Sequence, residues 1–200
     1  MEYSVFVIDD DFAMRDSLLT VLRAKGIRAR GFASGADFFA NLPETEYACV
    51  VTDMRMPEMD GAEVVRRLAA IKGVSWPVIV ITGHAEVSMA VQMMKEGILD
   101  FIEKPFDPNR LIEAVEGCLG HLAGHGLSRE AREEADRRLN LLTPRERQVF
   151  DALIEGLSNK QIALQLDISP RTVEIFRAKV MHKMQTDTLA GLVRIGILYA

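Results

Sequence analysis

Five side chains in this 200-residue chain have the types and positions to handle a phosphoryl group: Asp9, Asp10, Asp53, Thr82 and Lys104. Crowded carboxylates repel one another unless a hard cation bridges them, and Mg²⁺ prefers oxygen ligands while retaining several of its waters. Beside such a cation Asp53 can attack a phosphoryl group and form an acyl phosphate, because the metal neutralises both the attacking oxygen and the phosphoryl oxygens. Lys104 would pair with another phosphoryl oxygen and Thr82 would hydrogen-bond a third. Each residue taken alone has a plainer role. An aspartate often caps a helix or closes a turn, Thr82 could cap the helix after it, and Lys104 and Asp11 could be solvated charges. The five matter together, and only if the chain brings them to one place.

The surrounding pattern does so. Residues 48–52 are an apolar run rich in β-branched residues that stops at Asp53, followed by the turn signals Met56-Pro57 and Asp60-Gly61. This is a buried parallel strand delivering an acid to a loop. Residues 4–8 form a similar run closed by Asp9, Asp10 and Asp11, and apolar residues at helical spacing follow over 12–25, ended by Gly26. A second strand is expected over 27–32, and Ser34 with Asp37 opens a short helix. A helix over 61–71 leads to a strand over 78–81 closed by Thr82-Gly83. A helix over 85–96, capped by Gly97, leads to a strand over 99–102 ending in Glu103-Lys104-Pro105, and Asp107 starts a helix to about Leu119. Five βα units point to an α/β, flavodoxin-like doubly wound sheet, whose ligand crevice lies at the carboxyl ends of the strands. All five candidate residues sit at those ends.

With 48% apolar and 26% charged residues, the composition excludes a disordered or fibrous chain. The net charge of −5 is uneven, at −7 over 1–120, zero over 121–140 and +2 over 141–200, so an acidic part and a mildly basic part are separate. Cys49 and Cys118 have neither metal-ligand spacing nor a disulfide framework and read as buried bystanders in a reducing compartment. The amino terminus lacks a basic segment followed by an apolar one, and no apolar run approaches ~18 residues, so a cytoplasmic protein is expected.

Residues 121–140 read as a charged, helical, solvated linker between a domain over 1–120 and another over 141–200. Glycines 120, 124 and 126 interrupt the preceding helix, and acid-base pairs support the next one. His121 and His125 are four apart, as helical metal ligands would be, but the glycines undermine the helix and no third ligand is near. From Leu141, Thr143-Pro144 with Glu146 opens a helix over 145–155 that Gly156 ends. A short helix over 158–166, a turn at Asp167-Ile168 and a helix opened by Ser169-Pro170 and running to Met184 suggest a helix-turn-helix. On the last helix Val173, Phe176, Val180 and Met184 share one side. Arg171, Glu174, Ile175, Ala178 and His182 share the other. An outward Ile175 would find a partner in thymine methyl groups of a major groove, although a lone surface isoleucine is unremarkable.

The stretches VIDD at 7–10, TDMRMPEMDG at 52–61, VITG at 80–83 and FIEKPF at 101–106 resemble the receiver domain of bacterial response regulators over the first 120 residues or so. That resemblance implies Asp53 as phosphoacceptor, Asp10 and Asp53 as direct Mg²⁺ ligands, Asp9 acting through water, and the backbone carbonyl of Arg55 as a further ligand. It also implies Thr82 and Phe101 as a switch pair and a cis peptide at Lys104-Pro105. LTPRERQVF at 142–150, GLSNKQIALQLDISPRTVE at 156–174 and HKM at 182–184 resemble the LuxR-type effector domain, departing from it at Phe176, where that family often has histidine. Its recognition helix would span 170–184, with Asn159 and Lys160 near phosphates and Arg171, Thr172, Glu174, Ile175, Ala178 and Lys179 completing the DNA-facing set. The ITGH, DFIEKPF and ISPRTVE stretches resemble the FixJ subgroup in particular. The implied function is a two-component response regulator, phosphorylated by a sensor histidine kinase, dimerising on phosphorylation, and binding a double-stranded DNA operator in concert with RNA polymerase. A stand-alone phosphatase using Asp53 is disfavoured because Arg55, not an acid, stands two residues on. A flavodoxin-like ligand-binding module is disfavoured because acids stand where a glycine-rich phosphate loop would follow the first strand.

Overall fold

In the computed structural model, which describes residues 3–45, 47–83, 87–122 and 129–199, the apolar runs become strands β1 (Ser4–Ile8), β2 (Ala29–Phe32), β3 (Ala48–Asp53), β4 (Val78–Thr82) and β5 (Asp100–Glu103). They pair in parallel in the order β2-β1-β3-β4-β5. Ser4 lies opposite Ala48 and Ile8 opposite Thr52, so Asp9 and Asp53 leave the sheet side by side. β3 and β4 are buried along their whole length and β1 along all but its first residue. This is why they read as continuous β-branched runs rather than alternating ones.

Helices α1 (Phe12–Ala24), α2 (Gly35–Ala40), α3 (Gly61–Ala70), α4 (Val87–Lys95) and α5 (Pro108–Leu122) alternate with the strands. Asp11 is not a solvated charge as expected, since its carboxylate caps α1 by accepting from Ala13 N at 2.8 Å and Met14 N at 3.2 Å. Nor does Gly120 interrupt α5, which continues to Leu122. On one side of the sheet Val7, Cys49, Val51 and Ile81 pack with Leu22 of α1 and Leu111 and Val115 of α5. Burying a leucine such as Leu22 contributes roughly 1.5–3 kcal/mol toward holding α1 on the sheet. Cys49 and Cys118 are both wholly buried there, and burial pushes the Cys49 thiol well above its ordinary pKa, as bystanders require.

The remaining helices are α6 (Arg129–Leu139), α7 (Pro144–Ile154), α8 (Asn159–Leu166), α9 (Pro170–Met184) and α10 (Leu189–Tyr199). Thr143 and Glu146 close a capping box on α7, Ser158 and Gln161 close one on α8, and Ser169 caps α9. Asp167, with φ 52°, takes the left-handed conformation that turns α8 into α9. Phe150, Leu153, Ile162, Val173, Val180, Met184 and Leu192 form this core. Two features depart from expectation. α10 was not foreseen, and α6 is not a fully solvated linker, because Ala135 and Leu139, one turn apart, are buried. Arg138 also donates to the Met184 carbonyl at 3.0 Å. The described residues separate into two compact units, those up to 83 with 96–122, and 87–95 with 129–199, so α4 groups with α6–α10. His125 and the side chain of His121, considered above as metal ligands, lie outside the described residues, as do Gly124 and Gly126.

Candidate functional site

Asp53 is the last residue of β3 and is 8% exposed. Its Oδ2 accepts a hydrogen bond from the Arg55 backbone N–H at 2.7 Å, and its Oδ1 accepts one from Lys104 Nζ. The loop behind it is pinned by Met54 N donating to the Ile81 carbonyl at 2.7 Å and Gly61 N donating to the Met54 carbonyl at 3.0 Å. Gly61 is required for that approach, because a Cβ there would lie 2.6 Å from the Asp53 carbonyl oxygen. Lys104 reaches the site from the end of β5, where its N–H donates to the Thr82 carbonyl at 2.7 Å and its bond to Pro105 is cis, as the receiver resemblance implied.

Asp9 completes the cluster. It is 2% exposed, its Oδ1 accepts from Asp11 N at 2.9 Å, and its Oδ2 lies 3.6 Å from Lys104 Nζ. Burial raises the Asp9 pKa above the usual carboxylate value, with Lys104 pulling the other way. Burial also works against the charged form of Lys104, yet its hydrogen bond to Asp53 and the charges of Asp53 and Asp9 lift its pKa above the ordinary lysine value. Asp9 Oδ2 is buried without a hydrogen-bond partner. Buried oxygens of this kind are rare, and a hard cation with its waters would satisfy this one, so the site fits Mg²⁺. Among the described residues no group of three His, Cys, Asp or Glu side chains is close enough to hold an ion by itself. A cation here would depend on fewer side chains, the main chain and water. Asp10 stands at the rim, exposed.

Thr82 is buried and Phe101 half-buried. Val80 is opposite Phe101 and Thr82 opposite Glu103, which places Thr82 and Phe101 diagonally on one face of adjacent strands. Sequence reasoning missed Arg15, whose Nη1 donates to the Asp9 carbonyl at 2.5 Å while its guanidinium lies 5.5 Å from the exposed Phe12 ring. Only its place in the first turn of a helix after the acids could have hinted at this.

In the helical unit Val173, Val180 and Met184 are fully buried and Phe176 is half-buried, while Arg171, Glu174, Ile175, Ala178, Lys179 and His182 are exposed, Ile175 to 52%. Thr172 is half-buried, with its backbone N–H on the Ser169 Oγ at 3.1 Å and its Oγ1 paired with that hydroxyl at 2.8 Å. Lys160 is exposed, and Asn159 accepts from Arg177 Nη1 at 3.4 Å, a pairing the sequence did not suggest. Lys179 Nζ lies 5.7 Å from the centre of the Phe176 ring. One face of α9 and the start of α8 therefore carry the exposed polar positions.

Two family models match this chain, the response regulator receiver domain over residues 5–116 and the luxR family of bacterial regulatory proteins over residues 140–195. The chain belongs to the response regulators with a LuxR-type DNA-binding domain. It is 44% identical over 193 residues to the transcriptional regulatory protein FixJ of Bradyrhizobium diazoefficiens, covering 96% of this chain and 94% of that one. It is 46% identical over 194 residues to FixJ of Azorhizobium caulinodans, covering 97% and 92%. The crystal structure of full-length FixJ from B. japonicum matches 98% of this chain and 96% of that one at 43% identity with a TM-score of 0.57. The fold and the FixJ-type resemblance expected from the sequence both hold. This response regulator therefore acts in transcription regulation within a two-component system, which implies a kinase and DNA as partners. No helix among the described residues is long and apolar enough to cross a membrane.

Proposed function

We propose that a sensor histidine kinase phosphorylates Asp53 in the cytoplasm and that the phosphorylated chain pairs and binds an operator to control transcription with RNA polymerase. What carries this is the buried Oδ2 of Asp9, which has no hydrogen-bond partner and only the Lys104 ammonium at 3.6 Å, beside an Asp53 carboxylate already held by Lys104 and the Arg55 N–H. Mg²⁺, held by Asp10, Asp53 and the Arg55 carbonyl with Asp9 acting through water, would offset the charge of the carboxylates and the incoming phosphoryl oxygens. Lys104 would exchange its hold on Asp53 for a phosphoryl oxygen, and the Thr82 hydroxyl would turn to another, drawing Phe101 inward. The domain assignment that serves this is a receiver over 1–120, a connecting segment over 121–140 and an effector over 141–200.

The effector would touch phosphates through Asn159, Lys160, Arg171 and Lys179 and base edges through Thr172, Glu174, Ile175 and Ala178. A unit of net charge +2 offers few phosphate contacts, so a single copy should bind weakly, and two copies on adjacent half-sites bind far better through effective concentration. The pairing surface would be α4, β5 and α5. Here α4 groups with the effector helices, so pairing would draw it away from them and release the effector at the same time. Light scattering and gel-shift titration with and without acetyl phosphate test this. The full chain should run as a dimer and bind tightly only when phosphorylated. A chain that stays monomeric yet binds more tightly on phosphorylation would rule out pairing.

A further inference from the structure

On the outward face of α9 the acid Glu174 stands beside the exposed Ile175. No hydrogen bond or ion pair engages the side chain of Glu174 among the described residues, as is also true of Glu155, Asp167 and Asp187, whereas Glu146 is held by Lys183 and Asp151 by Arg147. What sets Glu174 apart is its place on the outward face of α9. Of the cations on α9 after Glu174, Arg177 is partly committed to Asn159 and Lys179 to the Phe176 ring. A free carboxylate on a surface offered to a polyanion is repelled by the phosphates. It becomes favourable there only where a donor reaches it, and the major groove has two such donors, cytosine N4 and adenine N6. Adenine sets the N7 acceptor beside its amino group, which would face the second carboxylate oxygen and repel it. Cytosine sets a C5–H there, so a carboxylate meets the amino group without an opposing lone pair.

We propose that Glu174 accepts a hydrogen bond from N4 of a cytosine in the major groove and thereby fixes a C·G pair in each operator half-site, with Ile175 against the methyl of a neighbouring thymine. This rests on α9 being the DNA-facing helix. Arg171, one turn earlier and exposed, supplies the cation that offsets Glu174 against the backbone.

The test selects duplexes from random-sequence DNA with the full chain, treated with acetyl phosphate and Mg²⁺, and with its Glu174→Gln, Glu174→Ala and Ile175→Ala variants. The unsubstituted chain should select a cytosine at one symmetric position, and exchanging that pair should weaken binding by roughly 5- to 150-fold. Glu174→Gln should move the preference toward adenine, whose N6 and N7 suit an amide. Glu174→Ala should lose the preference while binding other sequences as well or better. Replacing the neighbouring thymine by deoxyuridine should weaken the unsubstituted chain and leave Ile175→Ala indifferent. A cytosine preference that survives in both Glu174 variants overturns the assignment, as does selection of sites without one. If Arg171→Ala and Lys179→Ala lower affinity for all sequences while the Glu174 variants change no preference, only the cytosine assignment fails. If neither lowers affinity for any sequence, α9 is not the DNA-facing helix and both fall.

Discussion

Replacing Glu146 by glutamine should destabilise the effector unit at neutral pH and leave it nearly unchanged in strong acid. Glu146 is buried in the first turn of α7, where its Oε2 accepts from Lys183 Nζ at 2.6 Å and from the Thr143 N–H at 2.8 Å. Lys183 also donates to the Leu141 carbonyl at 3.0 Å, so this ion pair ties the start of α7 to the end of α9. The Lys183 ammonium, followed by the Thr143 N–H, lowers the Glu146 pKa from an ordinary 4.5 to about 2. A shift of that size corresponds to about 3 kcal/mol. Because the Lys183 side chain is 31% exposed, screening reduces the expectation to about 2 kcal/mol. Glutamine keeps the capping acceptor for Thr143 and removes the charge, so the difference isolates the pair. The folded-state pKa is depressed, so the stabilisation is complete above the ordinary value and is lost as pH falls from about 4.5 to about 2. Trp76, the sole tryptophan, lies in the other unit, so the assay is hydrogen exchange of α7 and α9 amides in the full chain across pH. A difference between glutamate and glutamine that stays constant from about pH 6 to about pH 3 would refute the coupling.

Two further outcomes follow from the geometry. Gly61→Ala should cost the receiver about 1–3 kcal/mol, read by Trp76 fluorescence during denaturation, because its Cβ would press on the Asp53 carbonyl; an unchanged midpoint would mean that the loop relaxes freely. Lys160→Ala and Lys179→Ala should each weaken binding to all sequences alike and reduce the salt slope by about one, which a salt titration of any selected duplex checks.

The receiver was legible because most of its candidate site residues follow an apolar, β-branched run, and a parallel sheet aligns such run ends without further information. Asp9 and Asp53 could therefore be paired from sequence alone, whereas the burial of Asp9 against the exposure of Asp10 needed the loop geometry. Asp11 was misjudged because a capping aspartate and a solvated one look alike until the helix start is fixed to the residue. α10 escaped because LAGLVRIGILY is apolar nearly all round and carries two glycines, so it has no stripe for a periodicity argument to detect. The docking of α6 escaped for the opposite reason. Among the residues of that helix whose burial is described, only Ala135 and Leu139 bury themselves, in a sequence with eight charged residues, and its tie to α9 runs from Arg138 to a backbone carbonyl that no side-chain pattern records. The outward face of α9 was readable because its buried side is strictly periodic.

The most direct measurement is the intact mass of the full chain after incubation with acetyl phosphate, with Mg²⁺ or with a chelator, followed by location of the added group. One phosphoryl group should appear on Asp53 only when Mg²⁺ is present and should be absent from Asp53→Asn. Labelling that persists in Asp53→Asn, or that proceeds equally in the chelator, would contradict the account.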